Sequence, residues 1–229
     1  MKQKPNEGEM HMRDGSCFII GAGDLTVGSI PYKEETDYVI AADGGLMYCE
    51  ILGIEPNLVI GDFDSLDDRF AGAVEELERT APEKIKRLPV EKDDTDMVAA
   101  VREGLKLGYR RFYLYGACGG RLEHTLANMQ LLKYLKNRGA EGFLCDGTGM
   151  SFLVQDEEIT LKDTLEGYVN IFCMGDEAQG VTLRNLKYEL TDAELKDDFP
   201  LGVSNEFIGK SAIISVKQGT LLVMIDWVE

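Results

Sequence analysis

The chain has 229 residues, 44% of them hydrophobic, and a formal net charge of -17. That length can bury a sizeable core in one large domain or two small ones, and the interspersed charges of both signs exclude a disordered chain. The acid excess argues against a nucleic-acid or anionic-membrane binder, because such contacts begin with surplus Lys and Arg; an anionic substrate would need local basic groups or metal ions.

The opening stretch, MKQKPNEGEMHMRDGS, lacks an apolar signal-peptide core, and residues 1–15 read as a mobile tail. No apolar run reaches the roughly 18 residues of a membrane span. Cys17, Cys49, Cys118, Cys145 and Cys173 are scattered singly, with no CxxC spacing. Such a set points to reduced core thiols and a cytoplasmic location.

From residue 16 the chain alternates apolar runs with helical spacing. SCFIIGAG, DYVIAADGG, NLVIGDFDS, KIKRLPV, RFYLYGACGG and EGFLCDG read as strands, and residues 46–52, 67–79, 95–107 and 122–135 read as helices. This predicts an α/β fold, a mainly parallel sheet with helices on both faces, whose ligands collect beyond the carboxyl ends of the strands. Near Gly147 the pattern changes to MSFLVQ, EEITLK, YVNIFCM, GVTLRNLKYEL, SAIISVKQG and TLLVMIDWV. These predict a small antiparallel all-β sandwich or barrel. The expected division is 16–147 and 148–229.

Three clusters could carry chemistry. Glycine-containing turns follow the first three strands: Gly21 to Asp24, Asp43 to Gly45, and Gly61 to Ser65. They suit close backbone approach to a ligand, yet each alone also fits an ordinary strand-to-helix turn. Neither GxGxxG nor GxxxxGK[ST] is present. Asp62 and Asp64 would lie on one side, roughly 6–7 Å apart, while a strand conformation lasts. With Asp93, Asp94 and Asp96 of EKDDTDM they make two acidic strand-to-helix turns. These read either as the oxygen ligands of a hard cation such as Mg²⁺ or as capping and solvated acids. The third cluster, GACGGRLEHTLANM, sets Arg121 at a helix start, suited to phosphate, with His124 and Asn128 on one helix face. His124, the one histidine outside the tail, reads either as an orienting or structural group, since no nucleophile motif accompanies it, or as a general base.

Four blocks, AADGGLMYCEILGIEPNLVIGDFDSL, EKDDTDM, GGRLEHTLAN and GVTLRNLKYEL followed by GVSNE, resemble the thiamine pyrophosphokinase family in order and approximate spacing, over nearly everything from residue 16 onward. The resemblance implies Mg²⁺-dependent transfer of pyrophosphate from ATP to the hydroxyl of thiamine. It also implies an N-terminal catalytic domain, a β-rich thiamine-binding domain, and a homodimer with active sites between subunits. Asp62, Asp64 and Asp96 then resemble the metal-holding acids, and with Arg121 the catalytic set. Gly23, Asp43, Gly44, Thr95, Arg121, His124 and Asn128 fall to the nucleotide, and Tyr188, Ser204 and Asn205 to thiamine. One departure is Glu123, where the family usually has Asp. From the residues alone, Ser204 and Asn205 read as a turn, and Tyr188 and Trp227 as β-domain core or as rings that could stack on an aromatic ligand. Two alternatives stay open: a pyrophosphokinase for another small alcohol such as a hydroxymethylpterin, and a non-enzymatic nucleotide- or metal-binding regulatory module.

Overall fold

The computed structural model describes residues 12–64, 68–91 and 93–227. The first eleven residues of the expected tail lie outside them; at Arg13 the chain is bonded, with Nε donating to the Leu107 carbonyl at 3.0 Å.

Six parallel strands follow in sequence: β1 (Cys17–Ile20), β2 (Tyr38–Ala42), β3 (Leu58–Gly61), β4 (Ile85–Arg87), β5 (Arg111–Tyr115) and β6 (Glu141–Cys145). Four helices connect them: α1 (Gly45–Ile51), α2 (Asp68–Thr80), α3 (Asp96–Lys106) and α4 (Leu122–Lys136). The first three strands are buried almost throughout, as expected where helices cover both faces. Met97, Ala100 and Val101 of α3 and Leu131, Leu132 and Leu135 of α4 pack on one face, while Cys49 of α1 and Val74 of α2 pack on the other.

The β-rich half comprises β7 (Gly149–Gln155), β8 (Glu158–Leu161), β9 (Tyr168–Cys173), β10 (Glu177–Arg184), β11 (Leu190–Lys196), β12 (Gly202–Glu206), β13 (Ala212–Ser215) and β14 (Thr220–Asp226). Four of these extend the first sheet rather than starting a new one: the ten-stranded order is β12-β9-β14-β7-β6-β5-β1-β2-β3-β4, and β6 pairs antiparallel with β7. The other four form a second sheet, β11-β10-β13-β8, which closes a sandwich over Val154, Val169, Ile171, Leu183, Leu195, Ile214 and Val223. The expected architecture, parallel α/β followed by an antiparallel sandwich, is therefore present, with one sheet running through both halves. Among the described residues no helix is long and apolar enough to cross a membrane.

Candidate active site

A cleft of about 310 Å³ opens beyond the carboxyl ends of β1, β2 and β5, where α3 and α4 begin. Its wall is backbone. Gly21 N donates to the Tyr115 carbonyl, Gly23 N to Gly116 and Asp24 N to Cys118, each at 2.8 Å, so the turns after β1 and β5 zip together past the sheet. A Cβ on Gly23 would stand 2.4 Å from the Cys118 oxygen, and Gly116, at φ +55, has its missing Cβ 2.4 Å from the Gly21 oxygen. Glycine is required there by turn packed on turn. Asn128, buried on α4, ties the helix to this wall through Nδ2 donating to the Ala117 carbonyl at 2.6 Å. Burial pushes the Cys118 thiol up to about 11 and Cys145 to about 12, which makes neither a ready thiolate nucleophile.

The acids gather at one side. Asp43 sits in the left-handed region, at φ +48, and its Oδ1 is buried with no hydrogen-bond partner. Burial raises its carboxyl above the ordinary range; the Gly44 backbone N–H opposes this, and the charges of Asp96, Asp62 and Asp64 add to the rise. Four carboxylates thus act on one small region. A buried acceptor among like charges is what a hard cation would satisfy, although among the described residues no three Asp, Glu, His or Cys side chains are gathered at chelating distance.

The strand alternation expected for Asp62 and Asp64 does not persist to them. β3 ends at Gly61, Phe63 turns to φ +62, and Asp64 N donates to Asp62 Oδ1 at 3.3 Å. Arg87, opposite Gly61 in the β3–β4 register, holds this turn. Its Nη1 donates to the Asp62 carbonyl at 3.1 Å, its guanidinium lies 5.2 Å from the centre of the buried Phe63 ring, and its Nε donates to Glu78 at 2.9 Å. Sequence reasoning missed Arg87, because only the strand register brings it to the acidic turn. In the second acidic block Thr95 is the N-cap of α3, accepting from Val98 N at 3.3 Å, and Asp94 pairs with Arg102, which leaves Asp96 as the acid of this block on the cleft.

Of the expected residues, the cleft brings together Gly23, Asp43, Thr95, Asp96, Arg121, His124 and Asn128. Arg121 is the N-cap residue of α4 and pairs with Glu123 at 2.7 Å, so the departing acid is the arginine's own partner. Gly44 caps α1 beside the cleft, and Asp62 and Asp64 act on Asp43 from outside the lining.

Tyr188, Ser204 and Asn205 lie elsewhere. β12 runs in the direction of β1 and ends on the same edge of the sheet, but six interstrand steps away, roughly 29 Å at the ~4.8 Å spacing of paired strands. The turn expected at Ser204 and Asn205 is instead part of β12, with a register shift between Gly202 and Asn205 and Ser204 at φ +61. Tyr188 and Trp227, expected in the core, are 58% and 39% exposed. Tyr188 lies in the connection between β10 and β11, and Trp227 follows β14 directly, beside an apolar cavity that Phe143, Phe152 and Leu165 also line.

A glycine-walled cleft at the carboxyl edge of a parallel sheet, lined by two acids and an arginine, stands where α/β enzymes collect their ligands. The profile described as "Thiamin pyrophosphokinase, catalytic domain" matches residues 31–144, and that described as "Thiamin pyrophosphokinase, vitamin B1 binding domain" matches residues 156–221. A thiamine pyrophosphokinase of Bacillus subtilis (strain 168) is 27% identical over 194 residues, 84% of this chain and 89% of the relative. The crystal structure of the Bacillus subtilis enzyme superposes with a TM-score of 0.82 at 26% identity, covering 93% of this chain and 99% of that one. That of Geobacillus thermodenitrificans gives 0.79 at 28% identity, covering 93% and 98%. The chain belongs to the thiamin pyrophosphokinase family of enzymes.

Proposed function

We propose that the protein transfers the pyrophosphoryl group of ATP to the hydroxyl of thiamine in a Mg²⁺-dependent reaction, giving thiamine diphosphate and AMP. The observation that carries this reading is the buried, unpartnered Oδ1 of Asp43 in a backbone-walled cleft that Asp96 and Arg121 also line, with Asp62 and Asp64 on the turn after the neighbouring strand. Attack by a neutral alcohol on a polyphosphate needs alignment and charge neutralisation rather than a covalent nucleophile, and the cleft residues are of that kind. Asp62, Asp64 and Asp96 would hold the metal, with the orphaned Asp43 Oδ1 adjoining. Mg²⁺, when bound, supplies positive charge that lets so acidic a cleft admit a polyphosphate. Gly23, Gly44 and Thr95 offer backbone and hydroxyl groups to the nucleotide, and Arg121, His124 and Asn128 line its phosphate side. The thiamine oxygen bonds to the β-phosphorus, the bond from that phosphorus to the bridging α-oxygen breaks, and the hydroxyl proton passes to a neighbouring carboxylate or to solvent.

The substrate alcohol falls to the β12 end of residues 148–229, where Tyr188, Ser204 and Asn205 stand, with residues 16–147 as the catalytic unit. The six interstrand steps that separate β12 from β1 in one chain support a homodimer whose active sites lie between subunits. Exposed Phe199, Leu201, Val203 and Ile208 around the β12 edge give a second copy apolar surface to cover. Five free cysteines, Cys17 buried with its thiol pushed far up, suit the reducing cytoplasm.

An end-point assay with Mg²⁺, ATP and thiamine, resolving AMP, ADP and thiamine diphosphate, tests the reading. Equal amounts of AMP and thiamine diphosphate are expected. ADP with thiamine monophosphate would overturn the reaction type, and bound nucleotide without product would favour another alcohol, such as a hydroxymethylpterin, or a regulatory role.

A further inference from the structure

Asn205 is 3% exposed and its amide is engaged on both ends. Oδ1 accepts from Tyr188 N at 2.9 Å and from Glu206 N at 3.0 Å, and Nδ2 donates to the Tyr188 carbonyl at 2.6 Å. The reversed amide would set its NH₂ against two N–H donors, so the orientation is fixed by its partners. A carbonyl oxygen has two lone pairs, and both are taken. Asn205 therefore has no acceptor to offer a substrate, and the second N–H of Nδ2 belongs to a side chain only 3% exposed. What it does instead is clamp both backbone groups of a single residue, Tyr188.

The clamped segment is laced to β12 through Lys187 as well. Lys187 N donates to the Glu206 carbonyl at 3.0 Å and Lys187 Nζ pairs with the Glu206 carboxylate at 2.5 Å, while within the segment itself Asn185 N donates to Glu189 Oε1 at 2.7 Å. Yet the ring so carefully held packs into no core: it is 58% exposed, with Lys187 Nζ 5.5 Å from its centroid. The neighbouring strand repeats the device. Asn170 Oδ1 accepts from Ser204 N at 2.8 Å while its Nδ2 donates to Asp226 Oδ2 at 2.8 Å, which stabilises the left-handed Ser204 on the same sheet edge.

We propose that Asn205 is a positioning residue that acts through Tyr188: its amide fixes the backbone of Tyr188 so that the exposed ring presents a face to the aromatic cation of the substrate, and Asn205 itself does not touch that substrate. This rests on the reading that the β12 end binds thiamine. A rigid ring loses little entropy on stacking, which is the gain from clamping its backbone in advance.

The experiment has a substrate-free arm and a kinetic arm, both on the full chain. Hydrogen exchange of the unliganded protein is expected to show the Tyr188 and Glu206 amides at least about tenfold faster in Asn205→Ala than in the parent, with the amides of Leu183 and Val223 unchanged. Unchanged exchange at Tyr188 would overturn the clamp. In the kinetic arm, Asn205→Ala and Tyr188→Ala are each expected to raise KM for thiamine about tenfold with kcat within about twofold, and the double variant to be no worse than Tyr188→Ala alone. Multiplying effects, near a hundredfold in the double variant, would mean that Asn205 contacts the substrate directly and would overturn the proposal. Tyr188→Phe is expected to keep the parent KM, and a tenfold rise there would remove the ring face from the account. If Asn205→Ala does not fold, Asn205→Ser, which still accepts one N–H, takes its place with the same criteria. A parent protein that makes no thiamine diphosphate overturns the functional reading and the use assigned to the ring, while the exchange arm still decides the clamp.

Discussion

In the parallel half of the long sheet, the candidate chemistry stands on turns beyond β1, β2, β3 and β5, and bonds between backbone groups of neighbouring turns build much of its wall. In the antiparallel half the corresponding groups stand along an edge strand, where side-chain amides of Asn170 and Asn205 do the holding. The first arrangement tolerates changes of side chain except at glycines such as Gly23 and Gly116, where any Cβ collides with the next turn. The second depends on single side chains. A cleft for charged phosphates gains from rigid, backbone-lined walls, whereas a face for an aromatic ring needs only one well-aimed ring and its support.

The comparison breaks most sharply at the acids. Asp64→Asn is expected to lower turnover on the order of a hundredfold, by removing charge stabilisation from the phosphoryl side while leaving the Tyr188 edge intact. Near-full Mg²⁺-dependent activity in that variant would take the acidic turn out of the mechanism. Mixing is the next largest effect. Asp64→Asn and Tyr188→Ala chains, unfolded together and refolded at equal amounts, should regain about a quarter of parental activity at low thiamine, since half of the dimers would carry one intact site of two. Activity no higher than the mean of the two separate variants would place both halves of a site in one chain.

A third test sets the two asparagines against each other. Asn128→Ala leaves the Ala117 carbonyl without its donor inside the cleft wall, and urea titration should show a loss of about 1–3 kcal/mol, in contrast to the KM effect expected of Asn205→Ala. Equal stability would mean that the wall needs no help from α4. The smallest effect concerns Asp43. Its carboxyl is held above the ordinary range in the folded chain, so the unfolded chain releases that proton at lower pH. Folding loses stability as pH rises from the unfolded to the folded value, and the whole cost is present at neutral pH. The metal-free Asp43→Asn protein should therefore resist urea better than the parent at pH 7 and lose that advantage below a pH of about 4. An advantage that persists in acid would assign the gain to something other than the charge.

Much of the molecule is legible in its sequence because the signals are local. Runs such as CFII and LVIG, with Gly or Asp behind them, mark buried strands and turns, and the recurrence of Met97, Val101 and Leu105 marks α3. The turns and motif blocks name Gly23, Asp43, Thr95, Asp96, Arg121, His124 and Asn128, which line one cleft, and Gly44, Asp62 and Asp64, which stand outside its lining. What escaped is non-local. β11, with the sequence LTDAELK, is largely exposed and lacks the apolar run of a buried strand, while GVSNE of β12 carries Gly, Ser and Asn, which read as turn formers. Arg87's grip on the turn at Phe63 depends on β4 arriving beside β3, and the backbone of Tyr188 is held by an amide seventeen residues away. No periodicity carries such information.

The antiparallel pairing of β6 with β7 has a consequence for anyone who would cut the chain. Asp146 Oδ1 accepts from Thr148 N at 2.9 Å and Gly149 N at 2.7 Å, forming the tight corner through which one half of the sheet passes into the other. Severing there would strip a ladder from each half and leave two adhesive edges, so neither fragment should be expected to behave as a detachable module. A recombined gene that grafted either half onto a foreign scaffold would have to supply a strand of matching register. The joint, more than either cluster of reactive groups, is the part of this design least free to be transplanted.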